Sequence, residues 1–461
     1  MHGFDLKRPP APASIPLPLN ADSKSILRML RDYESRNVTF RDPDGGWPIV
    51  WKSAKGCEVE DVEGNNYLDL TAAFGVAAAG HANQRVVEAA KRQLDTLVHG
   101  MGDVHPHEPK ALLMRELSRL TFGRWSRRGE EDAEPAVRGK TIFCNSGFEA
   151  VEAALKTAML ATEKKGVVAF EGGYHGLGYG TLNATHRDRF RGPFATQLGE
   201  FGHFAMFPTR EGDLPACEQS IRRHLNQRAI GAILVEPIQG RGGVRVPPEG
   251  FLRLARELCD QYRALLIVDE IYTGFGRTGK WFACEHEEVM PDLVCLGKGL
   301  TGGFPLSACV GRADVMDRAW PETDGEAIHT STYLGHPVGC AMALEQIEEI
   351  KRLKLPKRAA QRGKFLLSLL EHPPLPIAGY HFEARGRGLL VGLEITRMDR
   401  TPATDECIEI IKRMLGRGFV LLPEGEHGNI VSFTPPLIIT EEQLQRTVDA
   451  LHETMVEVLT A

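Results

Sequence analysis

The sequence predicts an α/β protein: a large domain on a mostly parallel sheet with helices on both faces, joined to a smaller α+β domain. Three observations carry this. Short β-rich runs alternate with longer amphipathic ones from about residue 141 to 311. Those runs are almost wholly apolar, as strands covered on both faces are. Polar residues of unusual kind fall just after them, where open α/β sheets bind ligands.

Taken in order, the Pro-rich stretch 9–18 reads as an extended arm, and residues 1–74 as that arm plus part of the small domain. The large domain is assigned to 75–338. There "TIFC" (141–144) is a strand, followed by a helix through "FEAVEAALKTAML" (148–160). Strands "GVVAF" (166–170) and "AILVEP" (232–237) come next, then a helix "FLRLARELCDQY" (251–262). "ALLIVDE" (264–270), "DLVCL" (292–296) and "SACVG" (307–311) complete the set. The C-terminal part of the small domain, 339–461, opens with a long helix, "CAMALEQIEEIKRL", and ends in short elements around "GLLVGLEI" and "NIVSFTPPLIIT".

Composition narrows the function. With 461 residues and 42% hydrophobic content the chain can bury a large core, which excludes disorder for most of it. Lys and Arg number 55 against 61 Asp and Glu, a net charge of −6, which offers no footprint for nucleic acid or anionic membrane. Nine cysteines with no CxxC pair favour a reducing compartment and assign nothing to a metal. The N-terminus lacks the apolar content of a signal peptide, and no run approaches the ~18 apolar residues a membrane helix needs. A cytoplasmic protein is expected.

The chemistry gathers at the strand ends. Ser146 and Gly147 open the helix after "TIFC", where free N–H groups and the helix dipole suit an anion such as phosphate. Ser146 equally reads as a plain N-cap. Tyr174 and His175 lie on a Gly-rich turn, where a flat ring can stack on a flat cofactor. Glu236 follows "AILV", and Asp269 and Glu270 follow "ALLIV". Lys298, in "CLGKGLTGGFPLS", sits among four glycines. A salt bridge between Asp269 and Lys298 is the simpler account of a buried acid and base, but the glycines around the lysine open space for a ligand instead. A lysine of depressed pKa attacks carbonyls. An aldehyde cofactor with a phosphate and a ring nitrogen uses every part: lysine, aspartate and helix end.

The motifs "NSGFEA", "GYHG", "EPIQG", "DEIYTGFGRTG", "GKGLTGGFPLS", "HTSTYLGHP" and "RGRGL" together resemble the class III pyridoxal-phosphate aminotransferases, of fold type I, over residues 45–458. The resemblance implies pyridoxal 5'-phosphate held as an aldimine on Lys298, which also shuttles the substrate proton. Asp269 would keep the pyridine nitrogen protonated, Tyr174 and Ile271 would cover the two ring faces, and Ser146 and Gly147 would hold the phosphate. His175 and Glu236 complete the cofactor set, and Thr332 would reach the phosphate of a neighbouring subunit in an obligate homodimer. Arg385 matches the arginine that grips the substrate α-carboxylate.

Departures from the family pattern bear on substrate. Relatives acting on ornithine, acetylornithine or 4-aminobutyrate read HGR where this chain has His175, Gly176 and Leu177. They carry a substrate-pocket glutamate where this chain has Arg241, and a tyrosine in ornithine aminotransferases stands at Phe74. Tyr272 occupies a position often taken by glutamine near the cofactor's 3' oxygen. No acid is expected beside Arg241, so a pocket favouring anionic substrates is predicted, with ornithine and 4-aminobutyrate disfavoured. Transamination between an amino acid or amine and a 2-oxo acid leads. A class III racemase, an aminomutase and a cofactor-binding protein without turnover are the alternatives.

Overall fold

The computed structural model describes residues 22–40, 47–126, 137–227, 229–322, 325–371 and 377–460; the arm assigned to 9–18 lies outside them. The chain divides into two compact units, one of residues 1–53 and 59–66, the other of 54–58 and 67–461. In the first, the helix Ser23–Tyr33 is capped by Asp22, whose carboxylate accepts from Ser25 N–H at 2.8 Å, and Ser23 Oγ donates to Glu63 at 2.7 Å.

The second unit is built on a seven-stranded sheet: β1 (Gly139–Cys144), β2 (Gly166–Phe170), β3 (Gly202–Ala205), β4 (Ile230–Val235), β5 (Leu265–Asp269), β6 (Leu293–Leu296) and β7 (Ser307–Arg312), in the order β1-β7-β6-β5-β4-β2-β3. Neighbours from β6 to β3 run parallel. Every residue of β2, β4, β5 and β6 is buried, which is why these runs lack polar alternation. Helices α1 (Gly147–Thr162), α2 (Leu214–Gln227) and α3 (Phe251–Tyr262) make crossovers between strands. From α1, Ala150, Val151, Ala153, Ala154, Leu155 and Ala158 are buried in the core. The expectation of a mostly parallel sheet holds, with one exception: β7 lies antiparallel to both β6 and β1. Only residues 297–306 separate β6 from β7, too few for a helical crossover.

A second sheet, wholly antiparallel, contains β8 (Tyr380–Arg387), β9 (Leu390–Arg397), β10 (Leu422–Glu424) and β11 (Ile430–Phe433), in the order β8-β9-β11-β10. Helices α4 (Pro337–Arg352), α5 (Leu355–Glu371), α6 (Thr404–Gly416) and α7 (Glu441–Leu459) complete this region. All nine cysteines are buried and free, and among the described residues no helix is long and apolar enough to cross a membrane.

Candidate active site

Register sets the site. Val235 of β4 pairs with Val268 of β5, and Asp269 pairs with Cys295 of β6, so Glu236, Asp269 and Lys298 leave three neighbouring strands at one edge. Strand pleating then separates two adjacent acids. Asp269 Oδ2 lies 2.8 Å from His175 Nδ1, and Oδ1 accepts from Ile271 N–H at 3.1 Å. Glu270 turns the other way, accepting from Thr273 Oγ1 and from Cys284 N–H at 2.8 Å. Glu270 holds a loop, and Asp269 faces the site.

Lys298 begins a single 3-10 turn with φ of +36°, a left-handed backbone uncommon for a residue with a Cβ. No ion pair joins it to Asp269 among the described residues: the aspartate's partner is His175, and the salt-bridge account of the pair does not hold. Burial lowers the Lys298 ammonium pKa, against the opposing pull of Asp269, Glu236 and Glu424 and with a smaller push from Arg241. The Nζ lies 4.1 Å from the centre of the Tyr272 ring. That ring is wedged tightly, because a Cβ at Gly240 would stand 2.2 Å from Cδ1 and one at Gly75 2.7 Å from Cε2. The Tyr272 hydroxyl donates to Thr434 Oγ1 at 3.3 Å, and burial raises its pKa to about 12, so the phenol stays neutral.

Glu236 accepts from Tyr174 N–H at 2.9 Å and Gly240 N–H at 3.2 Å. Its carboxyl is nonetheless raised to about 7, by burial first, with the nearby Asp269 adding to the rise and His175 opposing it. The Tyr174 ring is half-buried, edge-on to Phe190 at 5.7 Å, with the Arg241 guanidinium 5.4 Å from its centre. Beyond β1, the Glu149 carboxylate accepts from the N–H groups of Asn145 and Ser146 at 2.7 and 2.9 Å. Ser146 and Glu149 thus form a capping box at this end of α1, in which the buried Ser146 Oγ makes no well-formed hydrogen bond. Ile271 packs beside it: a Cβ on Gly147 would stand 3.0 Å from Ile271 Cδ1.

The profile of the family described as aminotransferase class-III matches residues 41–455. The chain belongs to the class III aminotransferases. It is 38% identical over 409 residues to an acetylornithine aminotransferase of Methanopyrus kandleri, covering 89% of this chain and 95% of that one. Identity is 35% over 436 residues to a putrescine aminotransferase of Pectobacterium atrosepticum, covering 92% and 87%. In three dimensions it is similar to the ornithine aminotransferase of Toxoplasma gondii, with a TM-score of 0.79, 30% identity and 96% of each chain covered. The protein is a pyridoxal-phosphate-dependent transaminase of fold type I that moves an amino group between a donor and a 2-oxo acid. Racemisation, weighed on sequence, gains no support from these relatives.

The residues present fit that cofactor. An orphaned buried hydroxyl at a 16-residue helix N-terminus suits a phosphate, and a lysine without an ion pair suits an aldehyde. Of the other expected residues, Phe74 is 52% exposed with φ of +63°, and Thr332 is exposed.

Arg385 is paired in this structure: Nε and Nη2 donate to the carbonyls of Val244 and Gly243 at 3.1 and 2.8 Å, and Nη1 lies 2.5 Å from Glu394, which ties β8 to the 243–244 turn. One expectation is corrected. Arg241 does not lack an acid: Glu424, 5% exposed at the end of β10, places Oε2 3.3 Å from Arg241 Nε. The sequence reading missed Glu424 and also Arg187, whose Nη2 donates to the Arg241 carbonyl at 2.6 Å. The available signal for Glu424 was a lone acid closing the apolar run "FVLLPE" before a glycine.

Proposed function

We propose that Lys298 is the residue that carries the cofactor and moves the proton at the substrate Cα. The observation that supports this most is a half-buried lysine just beyond β6, its Nζ 4.1 Å from the centre of the Tyr272 ring, with no ion pair among the described residues and its pKa lowered by desolvation. When bound, pyridoxal phosphate supplies an aldehyde for the amino group and a conjugated ring that delocalises the electrons released at Cα. Burial keeps a larger fraction of the Lys298 amine unprotonated, as both nucleophile and base require. Asp269, oriented by His175, holds a proton on the ring nitrogen by its charge. Ser146 Oγ and the N–H groups of Gly147 and its neighbours hold the phosphate. Tyr174 and Ile271 cover the ring, and Glu236 steadies the Tyr174 turn through its backbone. Arg241, Phe74 and Arg385 serve the substrate.

The reading extends to assembly and place. The enzyme acts as a homodimer in which Thr332 completes the partner's phosphate site, and it works in the cytoplasm. Its domains follow the division 1–74, 75–338 and 339–461. Exposed apolar side chains at Phe74, Leu97, Val98, Met101, Val104 and Tyr333 support the dimer. Borohydride reduction of the loaded enzyme, followed by peptide mapping, is expected to leave the cofactor on Lys298, and Lys298→Ala to abolish turnover. Cofactor found on any other lysine overturns the assignment.

A further inference from the structure

The Tyr272 ring is fixed along both edges and at its tip. A Cβ on Gly240 would meet Cδ1 and Cε1 at 2.2 and 2.7 Å, and a Cβ on Gly75 would meet Cε2 and Cδ2 of the other edge at 2.7 and 3.0 Å. Glycine at both positions is what lets the ring lie between the two loops. At the tip, the hydroxyl donates to Thr434 Oγ1 at 3.3 Å, and Thr434 Oγ1 donates in turn to the Thr71 carbonyl at 3.1 Å. The ring also packs against the buried cluster of Ile238, Val244 and Leu390. What it offers the site is a π face, and Lys298 Nζ lies 4.1 Å from its centre. A Cβ on Gly75 would also stand 3.9 Å from Lys298 Cδ, so ring and lysine stem share a wall. Asp269, Glu236, Glu424 and Arg241 are the charged groups that act on the ammonium. Among the described residues none of them is ion-paired with it: Asp269 is paired with His175, and Glu424 with Arg241.

Resting on the role proposed for Lys298 above, we infer that Tyr272 is a positioning residue that acts through its ring: the π face holds Lys298 as an ammonium whenever the lysine is free of the cofactor. Taking the substrate proton makes that ammonium. The N–H bond forms as the Cα–H bond breaks, and the electron pair stays with the carbon. An ammonium over an aromatic face is attracted by the ring quadrupole without a hydrogen bond to a fixed acceptor. A carboxylate in the same place would bind the charge more tightly and hold the proton back, because charge-assisted hydrogen bonds are the strong ones. The ring thus keeps the charged nitrogen in place and leaves its N–H groups available to return the proton. The hydroxyl has no part in this, because Thr434 engages it and burial keeps it neutral.

The test reads the protonation of Lys298 directly. The full chain is loaded with pyridoxamine 5'-phosphate, whose amino group leaves the lysine free, and acetic anhydride labelling of Lys298 is followed across pH by peptide mass mapping. Dividing the rate at neutral pH by the plateau at high pH cancels differences in access. Tyr272→Leu, which keeps an apolar side chain and removes the ring, is expected to raise this ratio about threefold or more, because the ammonium loses its support and gives up its proton more readily. Tyr272→Phe, which keeps the face and removes the hydroxyl, is expected to stay within about twofold of the wild type. A lower ratio in Tyr272→Leu overturns the inference, since it marks a ring that only shuts out water, whose loss would favour the charged form. An unchanged ratio overturns it as well, and so does a Tyr272→Phe ratio raised as far as that of Tyr272→Leu. Wild-type enzyme in which borohydride fixes pyridoxal phosphate elsewhere than on Lys298 would instead overturn the assignment on which the inference rests.

Discussion

At the scale of single residues, four carboxylates near the strand ends are separated by their surroundings. Asp269 is held by His175 and a backbone N–H, Glu270 is turned into a loop, Glu424 faces arginine, and Glu236 is buried against Asp269. Of these, the Glu236 carboxyl carries a titration that can be read as stability. Its carboxyl rises from 4.5 to about 7 on folding, by burial. Between those two values the unfolded chain has lost a proton that the folded chain keeps, so stability falls as pH rises. The contribution is fully present below about pH 4.5 and lost above about pH 7. Glu236→Gln is expected to remove this slope, so that the variant gains on the wild type by up to about 3 kcal/mol across the window, beyond any constant offset. Urea unfolding of the cofactor-free protein between about pH 5 and 8 measures it. Parallel stability profiles would mean that Glu236 is ionised throughout.

At the scale of elements, loops at the strand ends build the site, and glycines decide how closely they approach. Tyr272 sits between the loops that carry Gly75 and Gly240, beneath the Lys298 ammonium. Arg277, from the same loop as Tyr272, is buried and donates to the carbonyls of Leu389 and Pro435 at 2.9 and 2.5 Å, which ties that loop to the start of β9. Gly240→Ala is expected to cost about 1–3 kcal/mol through overpacking against the Tyr272 ring. In a Tyr272→Ala background the same change should cost little, and a double-mutant cycle in denaturant gives the coupling. Equal costs in the two backgrounds would show that the methyl group meets something else. The sequence made β2, β4, β5 and β6 legible because a strand buried on both faces must be apolar throughout. It concealed β3, "GHFA", whose first three residues are only partly buried and which carries a histidine mid-strand. The direction of β7 was concealed too, since direction follows from the length of the connection and leaves no mark on the strand's composition.

At the scale of the whole molecule, the exposed apolar side chains near residue 100 and at Phe74 and Tyr333 are more than a single chain needs to leave in water. Light scattering is expected to give twice the 50.9 kDa mass of the chain. Met101→Asp, at a side chain 56% exposed, should shift the enzyme toward monomer and weaken cofactor retention together. A dimer that persists unchanged would place the interface elsewhere, and a monomeric wild type with full activity would remove Thr332 from the phosphate site.

The sequence by itself determined the fold class, the family, the cofactor and the strand ends at which the polar residues gather. Those follow from local rules: apolar runs make buried strands, and strand ends make ligand sites. Only the tertiary structure decided how the charges pair. Asp269 meets His175, 94 positions away in the chain, in place of the lysine on the next strand. Arg385 meets Glu394 across a β-hairpin, and Arg241 meets Glu424 from the other sheet. No periodicity or motif encodes such contacts. A side chain takes the partner that packing brings within about 3 Å, and the cost of an unpaired buried charge makes that choice binding.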